Sequence, residues 1–181
     1  MKLSWKEGAA AVVSAALLLA SLWRRANPAR DNLEETAAQD EAEPPRLDDL
    51  DLLRPDFRAK IDALYQELRA QGFEPLPWET LRTPERQAWL YAQGRTRPGA
   101  IVTQAVSSVH EDGRGVDTID GRRIPSGPFE GQLYGWGSWG DPDVEAEALR
   151  FFNAYGRAAE ALGLTWGGRW TTLRDYPHVE A

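Results

Sequence analysis

The chain has 181 residues, 42% of them hydrophobic, which suits one domain with a real core, since single domains run to roughly 100–200 residues. Its 21 Lys+Arg against 28 Asp+Glu leave a net charge of -7, the wrong sign for a protein that binds by neutralising phosphates, so no nucleic-acid partner is expected. The absence of cysteine excludes a disulfide framework, a thiol nucleophile and any Cys-ligated metal site, and leaves Asp, Glu and only two histidines as candidate ligands.

The N-terminus carries Lys2 and Lys6, then an uncharged run of 16 residues from Gly8 to Trp23, stopped by Arg24 and Arg25. Spanning the hydrocarbon core takes about 20 apolar residues, with a lower limit near 17, so this Ala/Ser-rich run is a weak membrane helix or a signal-peptide core. Paired arginines where a cleavage region would lie favour an uncleaved signal anchor, and residues 1–26 are assigned to such an anchor or signal peptide. Either form implies export: the remainder would sit on the periplasmic side of an inner membrane or be released into the periplasm. Residues 27–55 are acidic, Pro-containing and poor in aromatic and β-branched residues, the composition of a disordered linker.

The folded part is expected over residues 56–181. Phe57, Ile61, Leu64 and Leu68 recur at helical spacing before Gly72, which marks an amphipathic helix and its stop. Phe73 to Leu81, interrupted by Pro75 and Pro77, reads as an edge strand. Thr83 caps a second helix that opens with Pro84 and runs to Gly94. Ser107, Ser108 and His110 lead toward a strand over Gly115 to Ile119, and Gly121 to Gly140 reads as a Gly-, Trp- and Pro-rich loop. Asp141-Pro142 starts the longest helix, whose apolar side carries Val144, Ala148, Phe151, Phe152, Tyr155, Ala159 and Leu162 before Gly163. Leu164 to Glu180 reads as paired short strands. Helices and short strands without βαβ alternation favour an α+β domain, a small antiparallel sheet packed with helices, and a monomer is expected.

Each histidine has a carboxylate at short spacing: His110 with Asp117, and His178 with Asp175. A hydrolytic zinc site needs three N/O ligands and an open position for water. His110, Asp117 and His178 can supply the three, and Asp175 is placed to take the proton of the attacking water. Gly113 and Gly115 suggest a tight turn that brings His110 and Asp117 together across a hairpin.

The segment SVHEDGRGVD, residues 108–117, resembles the S-x-H-x-x-G-x-A-x-D signature of bacterial cell-wall zinc peptidases. These are the D-Ala-D-Ala carboxypeptidases and dipeptidases and the L-alanyl-D-glutamate endopeptidases, related in fold to the hedgehog signalling domain. LGLTWGGRW at 162–170 followed by DYPH at 175–178 is similar to the family's G-L-x-W-G-G-x-W and D-x-P-H segments. LRTPERQ at 81–87, then Leu90-Tyr91 and Gly94-Arg95-Thr96, resembles its R-S/T-x-x-x-Q block. Gly115-Val116 is the one departure, and it bears on strand packing more than on chemistry.

The resemblance implies the hedgehog/DD-peptidase fold, Zn2+ held by His110, Asp117 and His178, and Asp175 as general base and acid. It further implies that Arg82 polarises the scissile carbonyl, that Ser108 contacts a ligand or the substrate backbone, and that Gln87 orients the loop carrying Arg82. The Trp136, Trp139, Trp166 and Trp170 cluster is read as core, with one or two rings left to line a groove. The implied substrate is the peptidoglycan stem peptide. The DYPH form is closer to the endopeptidases that cut L-Ala from D-Glu than to the carboxypeptidases, which tend to carry a Glu and a Trp before the final His. Three other readings stay open: a D-Ala-D-Ala carboxypeptidase, a zinc-holding wall-binding module without activity, and a phage-derived lytic enzyme held by the N-terminal segment.

Overall fold

The computed structural model describes residues 42–137 and 140–181. The apolar run 8–23, most of the acidic segment and Trp139 lie outside the described residues, and among the described residues no helix is long and apolar enough to cross a membrane. Residues 43–95 and 99–181 form one compact unit, to which every contact below belongs; of the second, 1–42 with Thr96–Pro98, only Ala42 and the three-residue turn are described.

Helix α1, Pro55–Ala70, starts on a proline whose missing N–H is no loss in a first turn. It buries Phe57, Ile61, Leu64, Tyr65 and Leu68 along one stripe. After strand β1, Pro75–Glu79, comes helix α2, Pro84–Ala92, where the Thr83 side chain accepts from Arg86 N–H as the N-cap. Strand β2, Gly115–Arg123, is followed by β3, Leu133–Gly135, and by helix α3, Pro142–Ala161, capped by Asp141 through the Asp143 and Val144 N–H groups. Strands β4, Thr165–Trp166, and β5, His178–Glu180, close the chain.

The sheet is antiparallel in the order β1-β2-β5-β4, with β3 also paired to β2. β1 keeps its two prolines on an edge, as their missing donors require. Side chains of β2 alternate between faces. Val116 and Thr118 face the helices: Val116 joins the core with Phe57, Leu64, Phe151 and Tyr155. The Thr118 hydroxyl accepts from Tyr155 at 3.0 Å and shares a 2.7 Å bond with the Tyr65 hydroxyl, which ties α1, α3 and the sheet at one buried point. Asp117 therefore faces the opposite side, away from the core.

Three expectations are corrected. The folded unit begins near Glu43 rather than Asp56: Leu53 is buried in the core, Thr80 N–H donates to Leu47 O at 2.8 Å, and Arg54 N–H donates to Gly113 O at 3.0 Å. These backbone bonds to the domain order a segment whose composition alone offers little to bury. His110 sits in a 3-10 turn, Val109–Asp112, not in a hairpin; Gly113, at φ +66°, ends that turn in the left-handed conformation a glycine adopts without strain. The stretch 121–140 is not all loop, because β2 runs on to Arg123 and β3 pairs back on it at Asp120↔Gly135 and Arg123↔Leu133.

Candidate metal centre

Strand register assembles the site. Glu79 of β1 lies opposite Asp117 of β2, and Asp117 lies opposite His178 of β5, so one row across three strands carries three functional groups. Directly opposed residues stand about 5 Å apart at Cβ, near enough for their side chains to meet. His110 enters from the 3-10 turn. Ser108 caps that turn, its hydroxyl accepting from His110 N–H at 3.3 Å while Ser108 N–H donates to Glu111 at 2.6 Å. Gly115 leaves room for the imidazole: a Cβ there would meet His110 Cδ2 at 2.9 Å.

His110 Nε2, His178 Nδ1 and Asp117 Oδ1 form a triangle with sides of 3.1, 3.0 and 3.3 Å. The other nitrogens decide what that triangle is. His110 Nδ1 faces the Thr80 carbonyl at 2.8 Å, and a carbonyl only accepts, so Nδ1 donates there and Nε2 is turned into the triangle. His178 Nε2 donates to the Glu180 carboxylate at 3.1 Å, which directs Nδ1 inward as well. Two imidazole nitrogens and a carboxylate oxygen thus converge on one point, a donor set that suits a cation. Ligands ~2.0–2.1 Å from a tetrahedral zinc stand ~3.3 Å apart, close to the sides observed. The Thr80 carbonyl and Glu180 carboxylate stand where outer partners orient histidines that hold a metal. All three residues are buried.

The electrostatics agree. Burial pushes the Asp117 carboxyl up, but the charge of His110 and hydrogen bonds from both histidines outweigh it and hold the group well below the usual carboxylate range. Burial opposes the His178 imidazolium, yet hydrogen bonds to Asp117 and Glu180 outweigh that and raise it to about 9. Asp175 moves the other way: burial first, and the Asp117 charge second, raise it to about 6. A carboxyl poised there can exchange a proton near neutrality.

A cleft of about 590 Å³ opens on the triangle and is lined by Arg82, Ser108, Trp170 and Asp175 together with the three candidate ligands. Every site residue expected from the sequence therefore reaches one cavity. The Asp175–His178 turn packs on Gly167, whose carbonyl accepts from Asp175 N–H at 3.1 Å. Arg82 is anchored: Nε and Nη2 donate to Glu79 Oε2 at 3.1 and 2.5 Å, Nη1 donates to Gln87 at 2.9 Å, and Nη2 stands 3.5 Å from Asp117 Oδ2. Gln87 in turn donates to Ala105 O at 2.6 Å, so it links the Arg82 guanidinium to the Ala105 backbone. Of the tryptophans, Trp166 is core, with its Nε1–H donating to Tyr176 O at 2.8 Å. Trp136 and Trp170 line the cleft, and the Trp170 ring centroid stands 5.1 Å from that of His178.

Sequence reasoning missed Glu79, Thr80 and Glu180. Glu180 was findable, because a residue two along a strand from His178 shares its face. Glu79 and Thr80 had no local signal: the first acts through a register across strands, the second through its backbone carbonyl.

The family described as D-alanyl-D-alanine carboxypeptidase matches residues 102–181. The peptidoglycan L-alanyl-D-glutamate endopeptidase CwlK of Bacillus subtilis (strain 168) is 32% identical over 134 residues, which cover 71% of this chain and 72% of that protein. The L-alanyl-D-glutamate peptidase of Listeria phage A118 is 27% identical over 134 residues, covering 74% of this chain and 40% of the phage protein. Among solved structures, the Serratia marcescens L-Ala D-Glu endopeptidase ChiX is similar at a TM-score of 0.48 and 26% identity, over 78% of this chain and 92% of that one.

Proposed function

The chain belongs to the family of bacterial cell-wall peptidases that holds the D-alanyl-D-alanine carboxypeptidases and the L-alanyl-D-glutamate endopeptidases, and from that premise we propose that its cleft hydrolyses peptidoglycan stem peptides at the L-Ala–D-Glu bond with Zn2+ as cofactor. It is a peptidoglycan peptidase, and the observation that carries this reading is the convergence of two imidazole nitrogens and a carboxylate oxygen beside a proton-exchanging carboxylate in one cleft. His110, Asp117 and His178 would hold the ion. When bound, zinc polarises the scissile carbonyl and acidifies water.

The remaining chemistry belongs to the chain. Asp175 takes the proton from the attacking water and returns it to the leaving amine. The Arg82 guanidinium, fixed by Glu79 and Gln87, needs no rearrangement to offer positive charge to the oxyanion that develops. Ser108 holds the His110 turn in place, and its position on the cleft wall supports a contact to the substrate backbone. A wall-binding module would have no use for a proton-exchanging Asp175. The apolar run 8–23 supports export and membrane attachment, which would put the enzyme on the side where its substrate lies.

The test is mass spectrometry of purified murein incubated with the zinc-loaded full chain, with Asp175→Ala alongside. Stem fragments beginning at D-Glu are expected with the parent protein only. Loss of terminal D-Ala alone would move the assignment to the carboxypeptidases, and no cleavage despite bound zinc would favour the binding module.

A further inference from the structure

A second groove, of about 680 Å³, adjoins the cleft and shares Trp136, Arg174 and Asp175 with it. Asp175 hands its proton to the leaving amine, so the leaving half of the substrate must pass on the Asp175 side, toward this groove. The exposed Arg174 stands at the same junction. Among the described residues its polar partner is the Tyr176 hydroxyl, which Nη1 reaches at 3.3 Å, and its guanidinium lies 5.8 Å from the Tyr176 ring. Arg82 and Arg86, also on the cleft, by contrast each have an ion pair with Glu79 that fixes their position. Arg174 is thus a cation at the substrate's exit with its charge unanswered, while Glu145, the acid on the groove, accepts from Gly140 N–H at 3.0 Å.

We propose that Arg174 is a specificity-determining residue that binds the free carboxylate of the leaving glutamate in the groove beyond Asp175. The proposal rests on the endopeptidase reading above. A glutamate whose amine is released has two carboxyl groups, and only one can carry the rest of the stem. The other remains a free carboxylate a few bonds from the amine, within reach of a side chain next to the proton donor. A guanidinium matches a carboxylate with two parallel hydrogen bonds, whereas a carboxamide in its place turns a donor toward the cation.

The experiment compares two synthetic stem peptides, one with the free carboxylate on the glutamate next to the scissile bond and one with that group as the carboxamide, using the zinc-loaded full chain. A charge-assisted hydrogen bond is worth about 1.5–3 kcal/mol, so kcat/KM is expected to favour the carboxylate by about 10- to 100-fold. Arg174→Gln is expected to bring the ratio close to one, Arg174→Lys to restore part of it, and raised ionic strength to narrow it in the parent enzyme. Equal rates on the two peptides, or an Arg174→Gln enzyme that keeps the parent ratio, would overturn the proposal. If the parent enzyme cleaves neither peptide, the endopeptidase reading fails first and takes the proposal with it.

Discussion

Glu79→Gln tests whether one buried carboxylate holds Arg82 in place. Glu79 is 3% exposed and accepts from two cations: Arg82 on Oε2 and Arg86 on Oε1. The two arginine side chains are themselves only 10% and 5% exposed. Glutamine keeps the volume but removes the charge, and its NH2 must then face one of the guanidinium groups. Removing one partner of a buried pair costs about 3–5 kcal/mol. Arg86 retains Glu43 at 2.6 Å and Pro44 O at 2.9 Å, which points to the lower end, about 3 kcal/mol. Against a total of about 5–15 kcal/mol that is a large fraction, and at roughly 3 °C per kcal/mol Tm should fall by about 10 °C. Thermal unfolding, with and without Zn2+, measures the shift. The murein assay below Tm should show kcat falling too, since Arg82 loses its main anchor. A Tm within about 2 °C of the parent and an unchanged kcat would refute the reasoning.

Two further outcomes follow from the same geometry. His178 is raised from 6.5 to about 9 in the metal-free fold, so its protonation stabilises that fold fully below pH 6.5, and the contribution is lost as pH rises through about 9. Zinc must displace that proton, so its apparent association constant should rise up to about tenfold per pH unit from pH 6.5 toward 9; chelator competition at several pH values measures it, and a flat profile would count against the ligand set. A chain starting at Asp56 should be markedly less stable than one starting at Glu43, because it lacks the buried Leu53 and the bonds to Thr80; losing a core leucine alone costs about 2–5 kcal/mol, and equal denaturant midpoints for the two chains would show the segment to be dispensable.

The helices were legible because their determinants are local. The Phe57, Ile61, Leu64 and Leu68 stripe, the Thr83 and Asp141 caps and the prolines that follow those caps act within a few residues of one another. The candidate ligand set was legible for a different reason. With two histidines and no cysteine in the chain, few ligand sets exist, and their spacing matched a family signature. The segment before Asp56 was misjudged because composition reports what a stretch can bury by itself, while Leu47 and Asp49 order theirs by accepting hydrogen bonds from Thr80 across the fold.

By itself the sequence determined which residue types are available for catalysis and where the helices start and stop. Only the tertiary structure decided that Glu79, Asp117 and His178 share one row, since strand register is set by pairings between residues far apart in the chain. It also decided which imidazole nitrogens point inward, because that depends on the Thr80 carbonyl and the Glu180 carboxylate, acceptors that reach the two rings only once the strands and the His110 turn have packed together.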